Sequence, residues 1–200
     1  MGSFRSAAVA LTAALLSMGA TALASDVWPV FRGPSYDGSA QASELPLTWS
    51  EGRNVVWKTP ISHRGWSTPV VAGGQIWLTT ATEEGHEMSV YCVDFEGGEV
   101  LHRERLFDND DPEPLSNTVN SYASPTGTLR PGRFFAHFGS YGTAAIDTGT
   151  FEVLWQRRDL PCRHFRGPGS SVVLAGEKLI VTMDGIDVQY MAALDQVARL

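Results

Sequence analysis

Cysteine and basic residues are both scarce in this 200-residue chain: two Cys, and 15 Lys plus Arg against 22 Asp plus Glu. With only Cys92 and Cys162, spacing cannot decide between a disulfide and two free thiols, even in an oxidising compartment. Cys92 sits in an alternating strand pattern, where a buried small hydrophobe is the plain reading. The formal charge of -7 lacks the basic footprint of sequence-independent nucleic-acid binding, so nucleic acid is not expected as a partner. Past Ala24 no apolar run approaches the about 20 residues of a membrane-crossing helix, and no sustained 3.6-residue apolar period marks a helix bundle. No Gly-x-Ser-x-Gly elbow occurs, and Gly167-Pro168-Gly169-Ser170-Ser171 lacks the lysine of a phosphate-binding loop. What is plentiful is Gly (20), Phe (9) and Trp (6), a composition suited to short strands, tight turns and aromatic packing.

The one apolar run lies at the start. Arg5 precedes Ala7 to Leu16, and small residues follow as far as Ala22-Leu23-Ala24. This is the layout of a secretory signal peptide over residues 1–24, cleaved after Ala24. Ser25 stands where a lipoprotein would need Cys, so a lipid anchor is disfavoured. The expectation is an exported protein, periplasmic or extracellular, with no integral membrane segment after cleavage.

The rest of the chain repeats. Ser67-Thr68-Pro69-Val70-Val71, Ala123-Ser124-Pro125-Thr126 and Ser170-Ser171-Val172-Val173 each open a unit, followed by a Gly turn at Gly73-Gly74, Gly132 or Gly176. A β-rich run follows (Ile76 to Thr80, Phe134 to Phe138, Leu179 to Met183), then a strand ending in Asp94, Asp147 or Asp195. From Asp94 to Asp147 is 53 residues and from Asp147 to Asp195 is 48, the period of propeller blades. Eight residues separate Asp94 from His102 and Asp147 from Trp155, a constant set by a hairpin in which Asp accepts turn N–H bonds and Gly98 or Gly149 supplies a positive φ. Trp57, Trp77 and Trp155 are expected to pack between units. The fold class is all-β: a β-propeller of four-stranded antiparallel blades, about three blades of an incomplete ring.

The spacing of strand-three Asp, Gly turn and Trp resembles the pyrroloquinoline-quinone-like (PQQ-like) propeller repeat, the tryptophan-docking repeat. Trp28-Pro29-Val30-Phe31-Arg32-Gly33-Pro34 with Asp37-Gly38, and Arg163-His164-Phe165-Arg166-Gly167-Pro168-Gly169, resemble secreted bacterial proteins of that class. His102 departs from it where Trp is usual, and Val172 where Pro is usual. The resemblance divides the mature chain into an extension over 25–54 and repeats over 55–200, with blades near 55–106, 120–158 and 169–200. Val55 to Lys58 reads as an early strand. The third unit would need its tryptophan at position 203, so the chain reads as the N-terminal part of a longer ring.

In a propeller the loops after strands two and four share a face. That places His63, Arg64, Asn120, Tyr141, His164, Arg166, Asp184 and Asp187 together as a candidate surface for a protein or a small polar ligand, unless its Arg and Asp pair with one another. Asp184-x-x-Asp187 and the run Asp108, Asp110, Asp111, Glu113 lack the order of a calcium loop, and the histidines fall on different blades, so no metal is expected. No catalytic residue is assigned. The resemblance implies an exported, non-catalytic binding or scaffolding platform, similar in architecture to the propeller factor of outer-membrane protein assembly. The alternative it implies is part of a quinone-dependent dehydrogenase with its catalytic residues in further blades. No cofactor is required by the residues; PQQ enters only through the resemblance. The catalytic branch uses an adjacent Cys pair, whereas Cys92 and Cys162 are 70 residues apart.

Overall fold

A computed structural model of the chain describes residues 27–40, 45–116 and 118–197. The signal segment expected over residues 1–24 lies outside them. The described residues form strands and turns: β1 (Val70–Ala72), β2 (Gln75–Ala81), β3 (Glu87–Asp94), β4 (Val100–Asp108), β5 (Thr128–Arg130), β6 (Arg133–His137), β7 (Thr143–Asp147), β8 (Val153–Arg157), β9 (Val173–Ala175), β10 (Lys178–Asp184) and β11 (Gln189–Asp195). They make three separate antiparallel sheets in simple chain order, β1 to β4, β5 to β8, and β9 to β11. These are three blades of a β-propeller. The β1–β2 hairpin turns on Gly73 and Gly74, both at positive φ (60° and 75°), a conformation other residues enter only with strain.

Register makes the blades superposable position by position. Gln75 pairs with Asp94, Arg133 with Asp147 and Lys178 with Asp195. Trp77, Phe135 and Ile180 are therefore equivalent on the face toward the next blade, and Ile76, Phe134 and Leu179 on the face toward the previous one. Side chains alternate across a strand, so each blade's forward face meets the next blade's rear face. Trp77 stacks on Phe134 with centroids 4.8 Å apart, and Phe135 shares a core with Leu179, Val181 and Leu194.

The outer joints between blades use a different device. Trp57 Nε1 donates to the Phe95 carbonyl at 3.0 Å, and Trp155 Nε1 to the Gln196 carbonyl at 3.2 Å; each acceptor follows a strand-three Asp. Trp57 lies flat against Gly98, where a Cβ would overlap the indole ring. Gly98 is at φ 73°. At the joint where His102 replaces Trp, the matching glycine is gone as well. Phe151 occupies that turn position at φ 64° and stacks on the His102 ring at 4.9 Å. The carbonyl left without an indole, that of Thr148, accepts from Gln75 Nε2 at 3.0 Å instead. The departure at His102 is thus compensated by two other residues. Gly149, expected to supply the positive φ, does not; it donates its N–H to Asp147 Oδ1 at 2.8 Å while Phe151 takes the left-handed conformation.

Near the propeller axis a hydroxyl staple links the blades. Thr68 N–H donates to Thr126 Oγ1 and Thr126 N–H to Ser171 Oγ, both at 3.0 Å, and each of the three residues stands two places before its inner strand. Trp28 bridges Val71, and the Pro29 carbonyl accepts the Leu129 N–H at 2.8 Å, so the segment from Trp28 runs along the inner edges of the first two blades. Val55 to Lys58, read as a strand from sequence, forms none; Trp57 docks there from extended chain.

Candidate functional site

The expected surface divides in three. His63 lies on the first blade, exposed at φ 70°, where Arg103 donates to its Nε2 at 3.2 Å and the Arg103 guanidinium lies 5.4 Å from the Tyr91 ring centre. Arg64 pairs with exposed Glu83 at 2.5 Å and borders a depression shared with Pro112, Pro114, Asn120 and Tyr122. Asn120, Tyr141, His164 and the Arg166 backbone come together between the second and third blades, and Asp187 and Asp184 lie beyond them.

Asn120 ties this last group. Its Nδ2 donates to the Arg166 carbonyl at 2.6 Å and the Pro168 carbonyl at 3.3 Å, while its Oδ1 accepts from Ser121 N–H at 3.0 Å and from the Ser124 hydroxyl. Its amide nitrogen thus holds the Arg166 to Pro168 end of the loop, while its amide oxygen is taken up by Ser121 and Ser124. Tyr141 is buried and meets Tyr122 edge-on at 5.5 Å, and burial first, then Tyr122 and Glu113, raise its phenol further. His164 is buried, with Nε2 accepting the Ser140 N–H at 3.0 Å. The proton of the neutral ring is therefore on Nδ1, which faces Cys162 Sγ at 3.8 Å. Burial lowers the His164 pKa, opposed by Glu113, Asp187 and Asp184.

Cys162 and Ser140 went unnoticed in the sequence as site residues, although Cys162-x-His164 was a visible signal. The pair is no nucleophile and base. Burial and the nearby Asp187, Asp184 and Glu113 raise the thiol pKa, and the nitrogen facing it already carries hydrogen. Asp187 accepts the N–H of Arg163 and of Val188 at 2.8 Å each, and these bonds, the Arg163 one first, lower its pKa. It closes a loop rather than pairing with an arginine side chain. Asp184 ends β10 exposed to solvent. Among the described residues no three His, Cys, Asp or Glu converge as metal ligands. Cys92 is buried in β3 of the first blade and Cys162 in the loop between β8 and β9, both free. The Cys92 thiol is pushed up to about 12 by burial and then by Asp94.

No protein-family model matches the chain, and no curated protein matches it. Solved structures do. A europium-containing methanol dehydrogenase aligns at TM-score 0.48 and 17% identity, over 64% of this chain and 22% of its own. BamB from Moraxella catarrhalis aligns at 0.49 and 12%, over 71% and 40%. A quinohemoprotein alcohol dehydrogenase, ADHIIG, from Pseudomonas putida HK5 aligns at 0.48 and 16%, over 70% and 20%. The blades are identified by their own register and joints. The chain spans two fifths or less of the length of each of these structures. Among the described residues no helix is long and apolar enough to cross a membrane.

Proposed function

We propose that the chain is part of an exported propeller that acts as a binding or scaffolding platform, engaging a protein partner at the loops between its second and third blades. One observation carries this reading: the ionisable groups gathered there are committed to the fold. His164 is neutral with both nitrogens facing partners, the thiol and phenol are pushed away from ionisation, and Asp187 is bound by backbone. These four groups brace the loops rather than serving as acid, base or nucleophile. What they leave outward is Phe165, half exposed, with the Arg166 guanidinium 5.9 Å from its ring centre. An exposed aromatic beside an arginine on a braced loop is the composition of an interface anchor.

The cysteines and the inner cleft lend no support to an anionic quinone cofactor. The two cysteines form no adjacent pair, and the cleft beside the inner strands has no cationic side chain in its lining. A photo-crosslinking residue at Phe165, with the protein secreted into a bacterial periplasm, tests the platform reading. A discrete crosslinked partner that disappears in Arg166→Ala is expected. Absence of any crosslink, together with dye-linked oxidation of an alcohol or sugar and an absorbance shift on quinone titration, would overturn it.

A further inference from the structure

Beside the inner strands, between the segment from Val30 to Tyr36 and the inner end of the third blade, lies a cleft of about 600 Å³. That is within the about 300–1,000 Å³ of small-ligand sites. Its walls differ from the rest of the molecule in one respect. No charged side chain lines it, in a chain of which 18% of residues are Asp, Glu, Lys or Arg.

Three aromatic residues line the cleft while keeping about half their surface exposed: Phe31 at 48%, Tyr36 at 54% and Trp66 at 51%. All three are on braced backbone. The Trp66 N–H donates to the Ala123 carbonyl at 3.0 Å, fixing it to the second blade. Phe31 and Tyr36 sit in consecutive tight turns, closed by Gly33 N–H to Val30 O at 2.9 Å, Tyr36 N–H to Gly33 O at 3.0 Å and Gly38 N–H to Arg32 O at 2.9 Å. Arg32 and Tyr36 hold positive φ there (65° and 60°), strain that persists only where the surroundings enforce it. Among the described residues the Trp66 indole N–H, the Tyr36 hydroxyl and the hydroxyls of Ser170 and Thr182 have no hydrogen-bond partner in the protein.

We infer that this cleft is a binding site for a neutral glycan. A sugar ring has an apolar C–H face, which seats on an aromatic ring, and a rim of hydroxyls that both donate and accept. The cleft offers aromatic rings held in place without burying them, hydroxyls with the same double capacity, and no charge to attract or repel an ionic ligand. Phosphates, nucleotides and acidic sugars find no counter-charge. An extended proline-rich peptide would use the aromatic rings but presents mainly carbonyl acceptors, leaving the acceptor capacity of the Ser170 and Thr182 hydroxyls unmet. Backbone bracing means little ordering is needed on binding. This site shares Asn120 with the base of the Phe165 and Arg166 loop, but it does not rest on the platform reading.

The test is titration of the purified protein with cellotetraose, xylotetraose, mannotetraose, maltotetraose and chitotetraose, and with a decaproline peptide, followed by calorimetry and tryptophan fluorescence. Saturable binding of at least one tetrasaccharide is expected, with a change in tryptophan emission. Trp66→Ala should weaken it about tenfold or more, while Trp49→Ala, an exposed tryptophan away from the cleft, leaves it unchanged. Thr182→Val, a near-isosteric change at an exposed position, should weaken it several-fold and serves where Trp66→Ala unfolds the protein. The inference is overturned if none of the five sugars binds, if decaproline alone binds, or if binding survives both cleft substitutions in folded protein.

Discussion

The second and third blades have the same strand plan and different surroundings. In the second, β6 and β7 are buried on both faces: Phe134, Phe135, Ala136, Ala144, Ala145 and Ile146 are all fully buried. In the third, β10 and β11 alternate. Leu179 and Val181 are buried against the second blade and Met183 is buried with them on alternate positions, while Thr182 and Met191 face solvent, Met191 at 69% exposure. A propeller strand thus owes its stability to neighbours on two sides, and a blade with one neighbour has half of that. Exposure falls on a face of the third blade. Its two inner strands are β9 and β10.

The largest expected contrast sits at equivalent positions of the two blades. Phe135→Ala should cost about 3–5 kcal/mol, the cavity cost of a buried aromatic, and Ile180→Ala about 1 kcal/mol or less, since its side chain has one packed neighbour fewer. Urea unfolding midpoints compare them. Hydrogen exchange on the same protein should find β6 and β7 opening last and β10 and β11 early. Equal costs and uniform protection would mean that the third blade is covered from its far side.

Acid should open the same boundary. His137 is fully buried, accepting from or donating to Thr143 at 2.8 Å through Nδ1, while its Nε2 has no partner among the described residues. Burial, and then His164, push its pKa down to about 3. The unfolded chain binds this proton near pH 6.5 and the folded chain does not, so stability is complete above that value and declines as pH falls toward 3. The loss at pH 4.5 is roughly 2–3 kcal/mol from this group. Thr79 holds the equivalent place in the first blade. His137→Thr should flatten the slope between pH 4.5 and 6.5 in folded protein, and an unchanged slope would assign the acid sensitivity elsewhere.

The outer joints supply a finer contrast. Gly98→Ala puts a Cβ into Trp57 at a positive φ and should cost about 1–2 kcal/mol. Phe151→Gly at the matching turn relieves a positive φ while losing the stack on His102, so its net effect should stay within about 1 kcal/mol. If both cost the same, the two joints are not the alternatives described. Smallest of all is Asp159→Asn, which breaks an exposed pair with Arg157 at 2.6 Å; its cost in thermal unfolding should not exceed about 1 kcal/mol.

Much of the fold was legible because blade construction is local. Gly turns, strand lengths and the Asp that accepts hairpin N–H bonds are set within stretches of a few residues, and Asp147 does accept from Gly149 and Thr150 at 2.8 Å each. The site was less legible. His63 and Arg64 are on loops that share a face with His164, yet their side chains turn to Arg103 and Glu83 within their own blade. The bond from Ser140 that fixes the His164 tautomer joins residues 24 positions apart, with no sequence signature.

The sequence by itself determined the repeat, its period and the all-β character, because alternation of apolar residues and the placement of glycine dictate strand and turn without reference to the rest of the chain. Tertiary structure alone decided which face of each strand is buried, how Gln75 and Phe151 compensate for His102, and where Phe31, Tyr36 and Trp66 meet. Those outcomes depend on the distance between residues of different blades, and sequence separation carries no measure of it.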